Sequence, residues 1–365
     1  MRKNYKRTIN FSPGPASLPK SVLERIHLEL FDFNCSGLSV MELSHRSDYI
    51  QSIISDAELS LRRLYDIDDS THIAFVQGGG SQQFALLPMN FSKKRDKVDY
   101  IDTGYWSQKA IAEAKFLGRN VAVIASSKDT NYSNIPNIEN ILPRPNTKYL
   151  HICTNNTIYG TQWHNIPTVS CPLVADMSSD FASREFDINR FGFIYAHAQK
   201  NIGIAGVTVL LAREEMLNNI CNDLPAIFNY KTHFEYKSNY QTPPCFAIYV
   251  TWLVLNWIET KIGGLSKLGD INEEKSKRLY NYIDSSEMYS NQVNKDYRSK
   301  VNVIFSLRNT KLESEFINQA KKNNIIGIQG HRSLGGLRAS LYNGVTKDDV
   351  KKLIEFMNDF AKKNL

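Results

Sequence analysis

The sequence predicts an α/β protein: a large domain with a mostly parallel sheet between helices, then a smaller α+β domain at the C-terminal end. Three observations point there. At 365 residues the chain exceeds the usual size of a single domain. Through its first two-thirds, short strand-like runs alternate with helical stretches, and several runs are continuously apolar, as strands covered on both faces are. Beyond about residue 265 the rhythm changes to strand, helix, strand, strand, helix.

In chain order, the strand-like runs of the large domain are 72–76, 98–101, 120–124, 149–152, 173–175, 193–195 and 207–212, with helical segments at 82–87 and 107–116. An apolar helix follows over 246–262 and stops at Gly263-Gly264, a common helix ending. The boundary is placed there, giving domains of 1–264 and 265–365. In the second domain 301–307 reads as a strand, 312–322 as a helix, and 325–328 and 337–342 as strands. Thr346 opens a last helix to about residue 363, with Asp349 placed for a capping box.

Composition narrows the function class. Hydrophobic content of 42% and charged content of 22% are those of a globular protein with a real core, without low-complexity tracts or repeats. The net charge of +7 raises the question of nucleic acid. However, Lys93, Lys94, Arg95 and Lys97 are interrupted by Asp96, and the C-terminal lysines share their segment with Asp348, Asp349 and Glu355. That is a solvated face, so no nucleic-acid partner is expected. Cys35, Cys153, Cys171, Cys221 and Cys245 are scattered and never paired as C-x-x-C, which favours reduced thiols and no metal site. The first fifteen residues are basic but lack an apolar signal core, and the apolar 246–258 stretch is too short to span a bilayer. A soluble, cytoplasmic protein is the expectation.

Three segments could carry chemistry. In Phe75-Val-Gln-Gly78-Gly79-Gly80-Ser81 a strand runs through three glycines into a helical pattern. Glycine backbone and a helix N-terminus together can hold a phosphate, although any tight strand-to-helix turn also needs glycine. The spacing fits neither G-x-G-x-x-G nor the Walker pattern. In Leu173-Val-Ala-Asp176 an acid ends an apolar strand, where open α/β sheets place ligand groups; such an acid can also simply cap the next turn. In Ala196-His-Ala-Gln199-Lys200-Asn-Ile-Gly203 one lysine sits among small and apolar residues between two strands. Such surroundings depress a lysine pKa and make a usable amine nucleophile, unless the side chain snorkels to water. A phosphate turn, then an acid, then a lysine, in that order, is the set a pyridoxal 5'-phosphate site requires.

With these segments in hand, the chain resembles the phosphoserine aminotransferases, class V members of the fold-type I pyridoxal-phosphate-dependent transferases. The resemblance runs nearly end to end through Asn10-Phe-Ser-Pro-Gly-Pro-Ala16, Ser44-His45-Arg46, Gly78–Phe84, Val174-Ala-Asp176, Ala198-Gln199-Lys200-Asn-Ile-Gly203, Thr242-Pro-Pro244 and Gly330-His331-Arg332-Ser333 to Arg338-Ala-Ser340. It implies that Lys200 holds the cofactor aldehyde and moves the Cα proton, and that Asp176 keeps the pyridine nitrogen protonated. It implies further that Trp106 stacks on the ring and Thr157 bonds its hydroxyl. Gly80, Ser81 and Gln199 would bind the phosphate, with Thr242 from a neighbouring subunit, and Gln241 would also contact the cofactor. Arg338 would take the substrate α-carboxylate, and His45, Arg46, His331 and Arg332 would serve the distal anion. Taken without the motif, Arg46 reads as a surface arginine and His331 as a satisfied core histidine.

The implied activity is reversible amino transfer between glutamate and 3-phosphohydroxypyruvate, giving phosphoserine and 2-oxoglutarate, in serine and also pyridoxine biosynthesis, by a homodimer sharing its active sites. Ser81-Gln82, Gln241 and Tyr159 depart from the family pattern and bear on substrate affinity. Another class V enzyme, such as an alanine–glyoxylate aminotransferase, is the alternative. A cysteine desulfurase is disfavoured because the last cysteine is Cys245, beside Thr-Pro-Pro.

Overall fold

The structure is a computed structural model in which residues 7–221 and 223–365 are described. The chain opens with strand β1 (Ile9–Asn10) and helices α1 (Lys20–Glu29) and α2 (Asp48–Tyr65). Then come β2 (Thr71–Gln77), α3 (Gly80–Phe91), β3 (Lys97–Asp102), α4 (Tyr105–Phe116), β4 (Asn120–Ser126), β5 (Leu150–Cys153), β6 (Leu173–Asp176), β7 (Phe193–His197) and β8 (Val207–Arg213). Helices α5 (Glu214–Leu217), α6 (Tyr230–Glu235), α7 (Cys245–Trp257) and α8 (Leu265–Ser285) lead to β9 (Tyr289–Ser290) and β10 (Asn302–Leu307). The chain finishes with α9 (Glu313–Lys322), β11 (Ile325–Ile326), β12 (Leu337–Ser340) and α10 (Lys347–Asn364).

Seven strands form the main sheet in the order β2-β8-β7-β6-β5-β3-β4. Strands β7, β6, β5, β3 and β4 run parallel, while β8 runs antiparallel to both β7 and β2. The mostly parallel fold-type I architecture is therefore observed, with β8 as its reversed strand. Alternation along each strand feeds two cores. Ile73, Phe75 and Val209 face a cluster with Ile53, Leu61, Ile248 and Val254 of α2 and α7. Ala74, Val76 and Leu210 face another with Phe84, Leu87, Ala110 and Ala114 of α3 and α4. Because both faces are covered, these strands carry apolar residues at nearly every position, the signal the sequence displays.

A three-stranded antiparallel sheet, β12-β10-β9, packs with α8, α9 and α10 in a separate cluster that includes Phe305, Leu337, Leu353 and Phe360. The N-terminal segment reaches this unit: β1 pairs in parallel with β11, and Phe11 is fully buried in the same cluster. Helix α7 runs into a π turn over Ile258–Ile262 and stops at Gly263, whose φ of 89° is left-handed. At α10 the capping box forms, with Thr346 Oγ1 accepting from the Asp349 N–H at 3.1 Å and Asp349 Oδ2 accepting from the Thr346 N–H at 2.9 Å. Lys275 on α8 is buried, and its Nζ donates to the carbonyls of Leu341, Tyr342 and Val345 at 2.8, 3.2 and 2.9 Å.

Candidate active site

The parallel strands end on one edge of the sheet, and a cleft of about 210 Å³ opens there. Strand β2 leaves the sheet through Gly78, whose φ of 107° is one that residues with a Cβ rarely adopt, so the turn favours glycine. Gly79 then caps α3 with no side-chain partner for the first N–H groups. Those N–H groups and the helix dipole face the cleft wall formed by Gly79, Gly80 and Ser81, which is the chemistry of an anion seat.

Three neighbouring strand ends supply the rest. Strand β6 ends at Asp176, which is 7% exposed. Its Oδ1 accepts from the Ser178 N–H at 2.9 Å, so the acid does cap the following turn as well as lining the cleft. Strand β5 ends at Cys153, whose thiol is pushed far up by burial and by the Asp176 charge. Strand β7 ends at His197, and the chain continues to Gln199 and Lys200, both in the cleft wall. Burial lowers the Lys200 pKa from its ordinary value, against the opposing pull of Asp176. The lysine therefore favours the neutral amine more than a surface lysine does.

Helix α4 brings Trp106 to the opposite side, with Lys200 Nζ 5.7 Å from its ring centroid. The indole is fixed by its Nε1–H donating to Thr157 Oγ1 at 2.9 Å. Thr157 keeps its own O–H free to donate elsewhere. The gap between indole and amine suits a flat ring stacked about 3.5 Å from the tryptophan. A ring there would have an amine at one edge, a carboxylate within the cleft and an anion seat beyond. These residues fit pyridoxal 5'-phosphate.

Arg338, on β12, is 6% exposed and donates through Nη1 to the Thr157 carbonyl at 2.8 Å, while its Nε has no partner among the described residues. Burial lowers its pKa, although it stays a cation. A buried guanidinium with a spare edge is an invitation to a carboxylate. His331 is half-buried rather than in the core; its Nδ1 pairs with Ser333 Oγ at 2.6 Å and its ring lies 5.3 Å from Tyr105, next to Trp106. Burial, then the charges of Arg338 and Arg332, lower its pKa. Arg332 is exposed in the same turn.

The structure thus brings Gly80, Ser81, Trp106, Asp176, Gln199 and Lys200 to one cleft, joined to Arg338 through Thr157. Six other expected residues do not line it within a single chain: His331 and Arg332, described above, and four more. His45 and Arg46 precede α2, with Arg46 exposed. Gln241 lines an adjoining cavity on the other side of the glycine turn, its Nε2 donating to Gln77 Oε1 at 3.4 Å, and Thr242 is exposed. Sequence reasoning passed over Cys153, Asn155 and His197 in the cleft wall. The strand-end rule that singled out Asp176 would have found Cys153 and His197 too, since each closes its strand.

Comparison with known proteins gives the family. The family model described as aminotransferase class-V matches residues 8–353. A phosphoserine aminotransferase of Desulfosudis oleivorans is 47% identical over 98% of this chain and 99% of its own length, and one from Shouchella clausii is 47% identical over 97% of each. Among solved structures, the phosphoserine aminotransferase of Bacillus circulans subsp. alkalophilus is 41% identical with a TM-score of 0.96, covering 99% of this chain and 100% of its own. A pyridoxal-phosphate-bound phosphoserine aminotransferase from Trichomonas vaginalis is 34% identical with a TM-score of 0.91, over 96% of this chain and 100% of its own. This chain belongs to the class-V aminotransferase family, within the group of phosphoserine aminotransferases.

Proposed function

We propose that the protein transfers an amino group reversibly between glutamate and 3-phosphohydroxypyruvate, giving phosphoserine and 2-oxoglutarate. It is a pyridoxal 5'-phosphate enzyme, and the observation that carries the reading is Lys200, Asp176, Trp106 and the Gly79–Ser81 turn converging on one cleft. When bound, the cofactor supplies an electron sink for breaking the substrate Cα–H bond. Lys200, with its depressed pKa, supplies the amine that captures the aldehyde and the base that carries the Cα proton. Asp176 stabilises a protonated pyridine nitrogen. Trp106, pinned by Thr157, holds the ring plane, and the Thr157 hydroxyl is free for the ring oxygen.

Arg338 binds the α-carboxylate, which glutamate and phosphoserine share. His331 and Arg332 recognise the distal anion. His45, Arg46, Gln241 and Thr242 act across a homodimer interface. That reading is supported by their position outside the cleft and by the exposed apolar side chains Leu28, Phe31, Leu38 and Met41 before them, which a second copy would cover. Residues 265–365 form the smaller domain in this scheme. Serine biosynthesis in the cytoplasm is the assigned setting, with pyridoxine biosynthesis as a second use of the same site. An alanine–glyoxylate specificity rests only on structures such as the Nostoc enzyme at 15% identity, a likeness of fold alone.

The test is a panel of half-reactions followed by the visible absorption of the bound cofactor. Phosphoserine and glutamate should convert the spectrum, whereas alanine, serine and cysteine should not. Conversion by alanine but not by phosphoserine would sink the proposal.

A further inference from the structure

His197 closes β7 three residues before Lys200, and nothing in the chemistry above uses it. Its ring lies in the cleft wall against the glycine turn: a Cβ built on Gly79 would be 3.4 Å from both Nε2 and Cε1. Its backbone N–H donates at 3.2 Å to Ser178 Oγ, which is itself 3.6 Å from a Cβ built on Gly80. We propose that His197 is a further ligand for the cofactor phosphate, donating through Nε2 as an imidazolium. This rests on the Gly79–Ser81 turn being the phosphate seat.

The protonation state follows from the partners. His197 Nδ1 lies 3.1 Å from the Val207 carbonyl, which can only accept, so Nδ1 carries a hydrogen in either charge state. A neutral ring therefore turns the lone pair of Nε2 towards the phosphate oxygens and repels them. Only the cation donates from both nitrogens. Without an anion in the seat, burial disfavours that cation and so does the Lys200 charge, while the Val207 carbonyl, the Gln199 side chain and the Asp176 charge favour it, and the net direction is downward. A phosphate dianion reverses this balance, so binding takes a proton from solvent onto Nε2. The protonated fraction, and with it the contribution to phosphate affinity, is lost as pH rises through the imidazole pKa of the bound state.

The test uses the full-length enzyme stripped of cofactor, titrated with pyridoxal 5'-phosphate and with pyridoxal, and reads the ratio of the two affinities. That ratio cancels the chemistry of the aldehyde with Lys200. His197→Asn keeps a donor for the Val207 carbonyl and removes the Nε2 edge; His197→Gln places a neutral amide near Nε2. At about pH 6.5, His197→Asn should lower the preference for the phosphorylated form roughly 10- to 100-fold, the worth of one charge-assisted hydrogen bond. His197→Gln should lie between the two, and the wild-type advantage over both should shrink as pH rises. In unsubstituted enzyme at about pH 7.5, where the free phosphate is mostly dianionic, calorimetry in two buffers should show more proton uptake with pyridoxal 5'-phosphate than with pyridoxal. Wild-type and variant ratios that coincide at every pH, or equal proton uptake for the two ligands, would overturn the role of His197 and leave the phosphate seat standing. No preference for the phosphorylated form in wild-type enzyme would overturn the seat itself.

Discussion

Replacing Arg338 by methionine separates binding from folding. The side chain is 6% exposed, its only hydrogen bond among the described residues runs from Nη1 to the Thr157 carbonyl, and its Nε is unpartnered. Among the described residues no carboxylate pairs with it, so it stands as a buried cation that a substrate carboxylate would satisfy. Two charge-assisted bonds to that carboxylate are worth about 1.5–3 kcal/mol each, so their loss should lower kcat/KM roughly 100- to 10,000-fold. Both glutamate and phosphoserine should suffer by the same factor, because the α-carboxylate is common to them. Stability should move the other way or stay level. Methionine fills much of the volume and removes an uncompensated charge, against about 1 kcal/mol for the lost bond to Thr157. Steady-state kinetics with both amino acids, together with thermal unfolding of wild type and variant, test this. A loss confined to one substrate, or a fall in Tm large enough to explain the lost activity, would refute the assignment.

Other expectations are simpler. Arg332→Ala should weaken phosphoserine more than glutamate, by roughly tenfold or more in kcat/KM, because its exposed cation is assigned to the distal anion; equal losses would remove that division of labour. Borohydride reduction of the holoenzyme followed by peptide mapping should place the pyridoxyl label on Lys200, and a label on any other lysine would move the site. The rate of cofactor capture by stripped enzyme should rise with pH as the amine loses its proton. Since the Lys200 pKa is lowered by burial, the plateau should be reached below the ordinary lysine value of 10.5; a midpoint at or above it would contradict the buried environment. Lys275→Met should destabilise the protein by roughly 2–4 kcal/mol, since it leaves the buried carbonyls of Leu341 and Val345 without the lysine donor, the Tyr342 carbonyl still accepting from the Val345 N–H, while the active-site spectrum stays unchanged.

Much of this fold was legible because its strands are buried on both faces. The runs at β2, β3, β6 and β8 stand out as apolar stretches, and each appears in the sheet within a few residues of its expected limits. The reversal of β8 was not legible, since a strand's direction leaves no mark on its composition. Two long helices also escaped notice for different reasons. Helix α2 has a regular apolar face of Ile50, Ile53, Ile54, Ala57 and Leu61, but it sits in a charged segment ahead of the first obvious strand. Helix α8 buries Asn272, Lys275 and Ser276 beside Leu268 and Leu279, so its inner face does not read as apolar. In the cleft, Asp176 is conspicuous as an acid closing an apolar strand, and Lys200 as a single lysine among small and apolar residues. His197 is masked by its neighbour, since Lys200 alone accounts for the chemistry the segment displays. On the homodimer reading proposed above, the placement of Arg46 and Thr242 would depend on a second copy, which no local pattern encodes.

The pairing of Ile9 with Ile325, followed by the Ala16 N–H donating to the Gln199 carbonyl at 2.9 Å, makes residues 9–16 a tether between β11 and the loop that carries Lys200. Any displacement of β11 would be passed to that loop through one short stretch of backbone. A proteolytic nick between residues 10 and 16 would therefore release the loop without altering a single side chain of the cleft wall.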